Sequence, residues 1–182
     1  MTMARPEYGQ QIPVRIEKLT KENNDLAWYF FCGNDVIDNF FQSEALDDPT
    51  TVTYLVIDDS RNKLLAALTI ACSAIFHSKK RQLSTLLSAI EVVYFAVDLQ
   101  YQGLPYRPGD DRTLSHYLFS YLIEMIRGIS RDHVGAAKIV LYSVPEAANF
   151  YRRLGFTPFR NSMYGDLGTF VKDCVPMYFD LN

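Results

Sequence analysis

The sequence predicts one α/β domain in which helices flank a mixed, largely antiparallel sheet of six or seven strands. Short runs of apolar and β-branched residues, bounded by turn-forming residues, recur along the chain as the strands of such a sheet would. Between them lie segments with helical periodicity, and no internal repeat, linker or low-complexity tract divides the 182 residues. We therefore expect a single domain over residues 1–182, in which residues 1–11 form a loose N-terminal segment.

The first half of the chain predicts a strand, a helix and a β-hairpin. Residues 12–19 alternate apolar and polar side chains, which is typical of a half-buried strand. Asn34 suits a helix N-cap, because its side-chain oxygen can accept a hydrogen bond from a first-turn amide. Residues 51–57 and 64–76 predict two strands joined by a polar turn at 58–63. We expect the helix after Asn34 to bury one face, formed by Val36, Ile37, Phe40 and Phe41.

The second half predicts strands that alternate with two helices. From Leu114 the apolar residues recur at helical spacing, which indicates an amphipathic helix with its apolar face at Leu114, Tyr117, Leu118, Tyr121, Leu122, Met125 and Ile126. We expect Gly128 and the cluster at 130–132 to stop this helix. Pro145 and Gly155 bracket a short helix, because proline suits a first helical turn and glycine suits the position after the last. The predicted strands around these helices are 91–98, 138–144, 157–159 and 175–180.

Composition narrows the class of protein. The net charge of −3 provides no global basic field for nucleic acid or an anionic membrane. The longest apolar run is too short to cross a membrane as a helix, and the N-terminus lacks the apolar core of a signal peptide. Three widely spaced cysteines without CxxC pairing indicate reduced, buried thiols and no metal site. We expect a cytoplasmic protein, with no membrane partner, whose thiols are Cys32, Cys72 and Cys174.

Several short segments carry recognisable motifs. Residues 147–156 read A-A-N-F-Y-R-R-L-G-F, and residues 93–103 read V-Y-F-A-V-D-L-Q-Y-Q-G ahead of the amphipathic helix. They resemble the C-terminal motif and the acetyl-CoA-binding motif of the GNAT N-acetyltransferases, and residues 175–181 look like the final strands of bacterial members. Residues 31–34, F-C-G-N, are similar to a segment of the GNAT toxins, which acetylate the amino group of aminoacyl-tRNA.

The resemblance implies a GNAT-like fold and transfer of an acetyl group from acetyl-CoA, a co-substrate used without a metal, to a primary amine. Acetyl-CoA would lie where two strands part, with its pantetheine amides bonded to strand backbone and its pyrophosphate at a loop and helix N-terminus. The residues that the resemblance places at this cofactor are Phe95, Ala96, Val97, Gln102, Gly103, Arg107, Arg112, Thr113, Ser115 and Asn149.

One departure from the family pattern concerns the phosphate-binding loop. Residues 102–103 begin it as expected, but an insertion separates them from Ser115, the last small residue of the motif. The insertion contains two prolines, which lack amide donors, and the acidic pair 110–111, which would repel phosphate. Arg107 and Arg112 would compensate. Altered cofactor binding and a non-catalytic GNAT-like binding protein both remain open.

Tyr151 is the predicted catalytic residue. The resemblance implies that its phenol protonates the CoA thiolate that leaves when an amine attacks the thioester. Periodicity alone favours a core ring in register with Ala147 and Leu154, and only the motif reverses that preference. Glu91 is the best carboxylate for a general base, although a solvated position at the start of a strand explains it more simply.

The acceptor amine is constrained by the lack of an evident base. Deprotonating a lysine-like amine at neutral pH costs about 4–5 kcal/mol, whereas an α-amine costs about 1 kcal/mol. This difference favours an aminoacyl amine, and so a toxin that acetylates aminoacyl-tRNA, with an antitoxin partner and a possible homodimer. The charge argues against tRNA, because the basic residues are dispersed and form no stripe. A small-molecule amine is therefore the other acceptor class.

Overall fold

A computed structural model describes residues 12–77, 85–106, 109, 111–160, 163–164 and 173–181. Its helices are α1 (Asp25–Trp28), α2 (Asp35–Asn39), α3 (Leu114–Ile129) and α4 (Ala148–Arg153). Its strands are β1 (Val14–Lys18), β2 (Val52–Asp58), β3 (Lys63–His77), β4 (Thr85–Val97), β5 (Lys138–Ser143), β6 (Thr157–Pro158), β7 (Met163–Tyr164) and β8 (Val175–Asp180).

The described strands form a mixed sheet, as predicted. They hydrogen-bond in the order β1-β2-β3-β4-β5-β8-β6, and the two-residue strand β7 pairs with β3 beside this path. The pairs β1–β2, β5–β8, β6–β8 and β3–β7 are antiparallel, whereas β4 and β5 are parallel. The seven-stranded path confirms the predicted strand number, and β7 is an addition that the sequence did not predict.

The described part of the chain divides into two compact units. The first contains the residues up to Thr69 and those from Tyr94 to Tyr121. The second contains the residues from Ile70 to Val93 and those from Leu122 onward. Strands β3 and β4 and helix α3 each contribute residues to both units. None of the helices in the described ranges has the length and apolar character that a membrane span requires.

The core of the first unit is built on aromatic rings. Phe30 and Phe41 meet edge to face at 5.4 Å between ring centroids, and Tyr94 of β4 lies 4.7 Å from Phe40. Such contacts add about 0.5–1.5 kcal/mol per pair beyond the burial of apolar area. These rings therefore fix α1, α2 and the turn that follows α2 against the sheet strands of this unit.

The predicted cap of α2 is confirmed. The Asn34 side-chain oxygen accepts hydrogen bonds from Val36 N and Ile37 N at 3.1 and 3.2 Å. The predicted apolar face is wrong at Val36, which is 70% exposed. The reason is that α2 is short and continues as a π-helical turn, Phe40–Glu44, so that Phe40 and Phe41 reach the core and Val36 does not.

The buried stripe of α3 is displaced from the one that its periodicity predicted. Phe119 and Ile123 are buried in addition to the expected leucines, whereas Tyr121 is 57% exposed. The stripe therefore lies one residue further round the helix than predicted. The expected positions that are buried are Leu114, Leu118, Leu122 and Ile126.

Helix α3 ends between the two predicted stop signals, Gly128 and the cluster at 130–132. The helix runs through Gly128 to Ile129 and continues as a π-helical turn, Ser130–Val134. A glycine inside a helix costs only about 1 kcal/mol relative to alanine, which the packing of neighbouring turns readily offsets. The turn closes with a hydrogen bond of 2.7 Å from Gly135 N to Ser130 O.

Three other features differ from what the sequence predicted. Strand β4 begins at Thr85, so Glu91 lies inside the strand and not at its start. The four-residue helix α1 was not predicted, since its single turn is too short to show periodicity. The cysteines are free thiols, as predicted, but they are not all buried: Cys72 is exposed, and Cys32 and Cys174 are half-buried.

Gly155 allows the last turn of α4 to meet strand β8. Its φ is +94°, a conformation that side chains disfavour by about 1–2 kcal/mol. A Cβ at this position would lie 3.2 Å from Cε2 of Phe179. Phe156, the next residue, is buried and packs on the Phe179 ring at 5.3 Å. The Gly-Phe end of the motif is thus explained by folding alone.

We predict that Gly155→Ala lowers the free energy of unfolding by about 1–3 kcal/mol, because it adds backbone strain to a close contact with Phe179. Thermal and urea denaturation would measure the loss. Gly128→Ala is the matched control, because Gly128 is helical and a Cβ there meets nothing within 4 Å. That variant should be neutral or more stable by up to about 1 kcal/mol. Equal stability of the two variants would contradict the assignment.

Candidate active site

The F-C-G-N segment forms a tight turn around a buried carboxylate. Cys32 N and Gly33 N donate to the two carboxylate oxygens of Asp38 at 2.7 and 3.2 Å. Asp38 is only 5% exposed, and Gly33 adopts a φ of +87° that favours glycine. Burial, and then the hydrogen bond to Asp38, raise the pKa of the Cys32 thiol to about 11. Cys32 is therefore a poor nucleophile at neutral pH.

This turn is hydrogen-bonded to the chain that leaves β4. Leu99 N donates to Phe31 O at 2.8 Å. The side-chain amide nitrogen of Gln102 donates to both Cys32 O and Val97 O, each at 2.8 Å. The toxin-like turn and the start of the cofactor-binding motif are thus parts of one hydrogen-bonded unit. The side-chain nitrogen of Gln102, a predicted cofactor residue, binds protein backbone.

The described ends of the insertion pair with each other, as the base of a hairpin does. Pro105 and Thr113 form an antiparallel bridge, and Tyr106 N donates to Arg112 O at 3.2 Å. At its base, Leu114 N donates to Leu104 O at 2.7 Å. These bonds bring Leu104 and the N-terminus of α3 together. The predicted cofactor residue Arg107 lies outside the described residues.

Stacked side chains attach this hairpin to α3. The rings of Tyr106 and Tyr117 lie 3.8 Å apart with an interplanar angle of 26°, and the Arg112 guanidinium lies 4.6 Å from the Tyr117 centroid. A cation over an aromatic ring at this distance is attracted by the ring electrons. Arg112 thus lies over the first turns of α3, where Thr113 O accepts from His116 N at 3.0 Å and Ser115 is half-buried.

Strand β4 is the predicted cofactor strand. Its parallel register with β5 runs from Ala89–Lys138 to Val92–Leu141, while β4 itself continues to Val97. The Phe95 ring packs on Phe119 of α3 at 4.7 Å, so its side chain serves the core and its backbone is what a cofactor would meet. Glu91 is half-buried opposite Val140 in the register.

Helix α4 carries Tyr151. Its ring contacts Phe150 and Phe156 edge to face, at 5.1 and 5.8 Å between centroids. Burial raises the pKa of the Tyr151 phenol to about 12, so the proton stays on the oxygen at neutral pH. Asn149, a predicted cofactor residue, is exposed, and its side-chain oxygen accepts from an Arg152 guanidinium nitrogen at 2.8 Å.

The predicted site residues fall into two groups. Residues 95–97, 102–103 and 112–115 belong to the first unit, where the F-C-G-N turn joins them. Glu91, Asn149 and Tyr151 belong to the second unit. Sequence reasoning missed Asp38, although an acidic residue beside Ile37 on an otherwise apolar helical face was a usable signal. Among the side chains the structure describes, no cluster of three or more His, Cys, Asp or Glu is arranged to hold a metal ion.

Comparison with known proteins supports the fold. No family model and no curated protein matches the sequence. A bacterial toxin structure aligns with 93% of this chain and 91% of its own, at 20% identity and a TM-score of 0.69. A tyrosine-to-phenylalanine mutant of the AtaT toxin, bound to acetyl-CoA and to the C-terminus of the antitoxin AtaR, aligns at 16% identity, covering 92% and 93%, with a TM-score of 0.65.

A further AtaT structure, complexed with acetyl-methionyl-tRNAfMet, aligns over 92% of this chain and 95% of its own, at 19% identity and a TM-score of 0.66. At these identities the likeness establishes the backbone architecture. The chain has the fold of these toxins, and the GNAT-like fold predicted from the sequence is confirmed.

Proposed function

We propose that the protein is an acetyl-CoA-dependent N-acetyltransferase. The observation that carries the proposal is the parallel pair β4–β5, whose register stops at Val92 and Leu141 although β4 runs on to Val97. We propose that backbone N–H and C=O groups near this end of β4 hydrogen-bond to the amides of a pantetheine arm. The AtaT toxin, which shares the fold, has been observed with bound acetyl-CoA.

The residues at the start of α3 fit a phosphate-bearing cofactor. The hairpin returns the chain to Leu104, so that the N-terminus of α3 follows Gly103 in space despite the insertion. A helix N-terminus of this length favours anions, and Arg112 adds a positive charge above its first turns. The closed hairpin removes the main argument for the alternative, a non-catalytic binding protein with a broken loop. We propose that Gly103, Arg112, Thr113 and Ser115 meet the cofactor phosphates.

Tyr151 is the proposed general acid. The amine nitrogen bonds to the thioester carbon, the carbon–sulfur bond breaks, and the phenol proton passes to the departing thiolate. A proton released by the attacking amine then returns to the phenolate, directly or through water, so that the protons balance. A pKa of about 12 keeps the phenol protonated before the reaction. Positioned acids of this kind contribute about 10²–10⁴-fold.

The acceptor is proposed to be an amine of low pKa. Glu91 lies inside β4 and is half-buried. It is the carboxylate that we propose as the general base, acting directly or through water. Weak assistance is sufficient for an α-amine, which costs about 1 kcal/mol to deprotonate at neutral pH, but not for a lysine-like amine at about 4–5 kcal/mol.

Aminoacyl-tRNA is our specific proposal for the acceptor, with a small-molecule amine as the alternative. The F-C-G-N turn, which is joined to the cofactor strand by Gln102, supports a toxin-type enzyme. So does the AtaT complex with acetyl-methionyl-tRNAfMet. An antitoxin partner, a homodimer and action in the cytoplasm are parts of the same proposal. The net charge of −3 requires any contact with tRNA to be local.

Replacing Tyr151 by Phe tests the general acid. We predict that Tyr151→Phe binds acetyl-CoA within about threefold of the wild type but loses at least about tenfold in kcat, because only the proton donor is removed. Calorimetry and steady-state kinetics measure the two quantities. Tyr121→Phe, at an exposed position of α3, is the control and should retain full activity. Equal rates would exclude the role, and no acetyl-CoA binding by the wild type at millimolar concentration would favour a non-catalytic protein.

The raised pKa of Tyr151 predicts the alkaline side of the pH profile. With an α-amine acceptor, kcat/KM should rise to about pH 8 as the amine loses its proton, and then stay level to about pH 10. Tyr151 acts in its protonated form. Because its pKa is about 12, the phenol loses its proton, and the enzyme its activity, only above this pH range. A fall centred below pH 10 in the wild type that disappears in Tyr151→Phe would contradict this.

Expression in a bacterial host tests the acceptor. The wild type is expected to arrest growth and to produce N-acetylated aminoacyl-tRNA, detected by mass spectrometry of the released aminoacyl groups. Tyr151→Phe should relieve both effects, since it removes the transfer step. Acetylation of small amines without growth arrest or modified aminoacyl-tRNA would reject the toxin proposal and retain the acetyltransferase.

A further inference from the structure

We propose that Gln102 is a positioning residue whose side-chain amide fastens the F-C-G-N turn to the end of β4 and makes no contact with the cofactor phosphates. This inference rests on the proposed acetyltransferase function for its kinetic consequence. The fastening itself is a property of the folded chain and can be tested without substrate.

The hydrogen-bonding capacity of the amide supports the first part. A glutamine side chain has two N–H donors on one nitrogen and an oxygen that only accepts. Both donors of Gln102 are used, by Cys32 O and Val97 O at 2.8 Å each. The remaining oxygen cannot bond to a phosphate, which is itself an acceptor. The side chain is therefore committed to the protein, although its sequence position is that of a phosphate-loop residue.

The geometry also shows what is positioned. The side-chain nitrogen of Gln102, which is 70 positions from Cys32 in sequence, connects Cys32 in the turn to Val97, the last residue of β4. The turn has two other attachments: Leu99 N to Phe31 O, and the Asp38 carboxylate under Cys32 N and Gly33 N. Without Gln102 the turn keeps these two attachments, but two carbonyls lose a donor and Val97 loses its link to the turn.

The kinetic consequence separates positioning from direct contact. If Gln102 positions the end of β4, its loss lowers kcat/KM for every acetyl donor whose pantetheine arm binds to that strand, whether or not the donor carries phosphates. If Gln102 binds phosphate, its loss lowers kcat/KM for acetyl-CoA. The kcat/KM for S-acetylpantetheine then stays unchanged, because that donor has neither the pyrophosphate nor the 3′-phosphate. The ratio of the two losses therefore distinguishes the two roles.

The experiment compares Gln102→Met with Gln100→Met in the full chain. Methionine matches glutamine in length and donates no hydrogen bond. Gln100 is exposed on the same loop, and its side-chain oxygen accepts only from Lys63 Nζ, at 2.7 Å, among the hydrogen bonds described for it. We expect Gln102→Met to lower kcat/KM for acetyl-CoA and for S-acetylpantetheine by the same factor, about 5–20-fold. Gln100→Met should change neither by more than twofold. Gln102→Arg, which supplies donors again, should restore most of the S-acetylpantetheine activity.

Cys32 provides a readout that needs no substrate. Burial and the hydrogen bond to Asp38 raise its thiol pKa to about 11, so alkylation at pH 8 should be slow. Loosening the turn exposes the thiol, and Gln102→Met should raise the Cys32 alkylation rate at least threefold. Peptide mass spectrometry separates Cys32 from the exposed Cys72, whose rate should not change.

Each outcome decides a part of the proposal. Unchanged alkylation of Cys32 in Gln102→Met overturns the fastening role, whatever the activity. Faster alkylation with loss confined to acetyl-CoA overturns the exclusion of phosphate contact. Faster alkylation with equal losses supports the whole proposal. If the wild type transfers no acetyl group to any amine, the proposed function and its kinetic consequence fail, and the alkylation rates alone still establish or reject the fastening.

Discussion

Parallel pairing of β4 with β5 is the constraint on which the second half of this chain depends. Two parallel strands that follow each other in sequence cannot be joined by a tight turn and need a crossover of a dozen or more residues. Here the crossover carries the Gln102 loop, the hairpin and α3, in that order. The pairing thus delivers a loop and a helix N-terminus to the end of β4, and the four paired positions from Ala89 to Val92 leave the rest of β4 outside the register.

Most residues of the motifs have a structural role in the folded chain, separate from the proposed chemistry. Gly155 and Phe156 serve the packing of α4 on Phe179, and Phe95 serves the packing of α3. Asp38 and Gln102 hold backbone amides and carbonyls in place. The Tyr151 ring also packs, against Phe150 and Phe156, and the role proposed in the reaction concerns its hydroxyl group alone. A motif match of this kind is therefore strong support for a fold and weaker support for an activity, because most of its letters would persist in a chain that had lost the reaction.

The sequence predicted features that depend on local order and missed those that depend on distant partners. The Asn34 cap, the α3 helix and the left-handed glycine after α4 arise from neighbouring residues, and all three are confirmed. The hydrogen bonds of Gln102 reach Cys32 across 70 residues, and no periodicity contains that information. Likewise, the exposure of Val36 follows from the π-helical turn after α2, and the position of Glu91 within β4 follows from pairing with β5. The site residues proposed from the motif remain predictions.

The paired base of the hairpin has a consequence for how such chains diverge. Leu114 N donates a hydrogen bond of 2.7 Å to Leu104 O, so we expect residues added or removed between these two positions to leave Gly103 and α3 in place. The entropic cost of lengthening a closed loop is small, about 0.6 kcal/mol per doubling. The number of residues between Gly103 and α3 can then change while their positions in the fold stay the same. A motif defined by fixed intervals loses its register at this point, whereas superposition of backbones does not, and the structural alignment to a bacterial toxin extends over 93% of the chain.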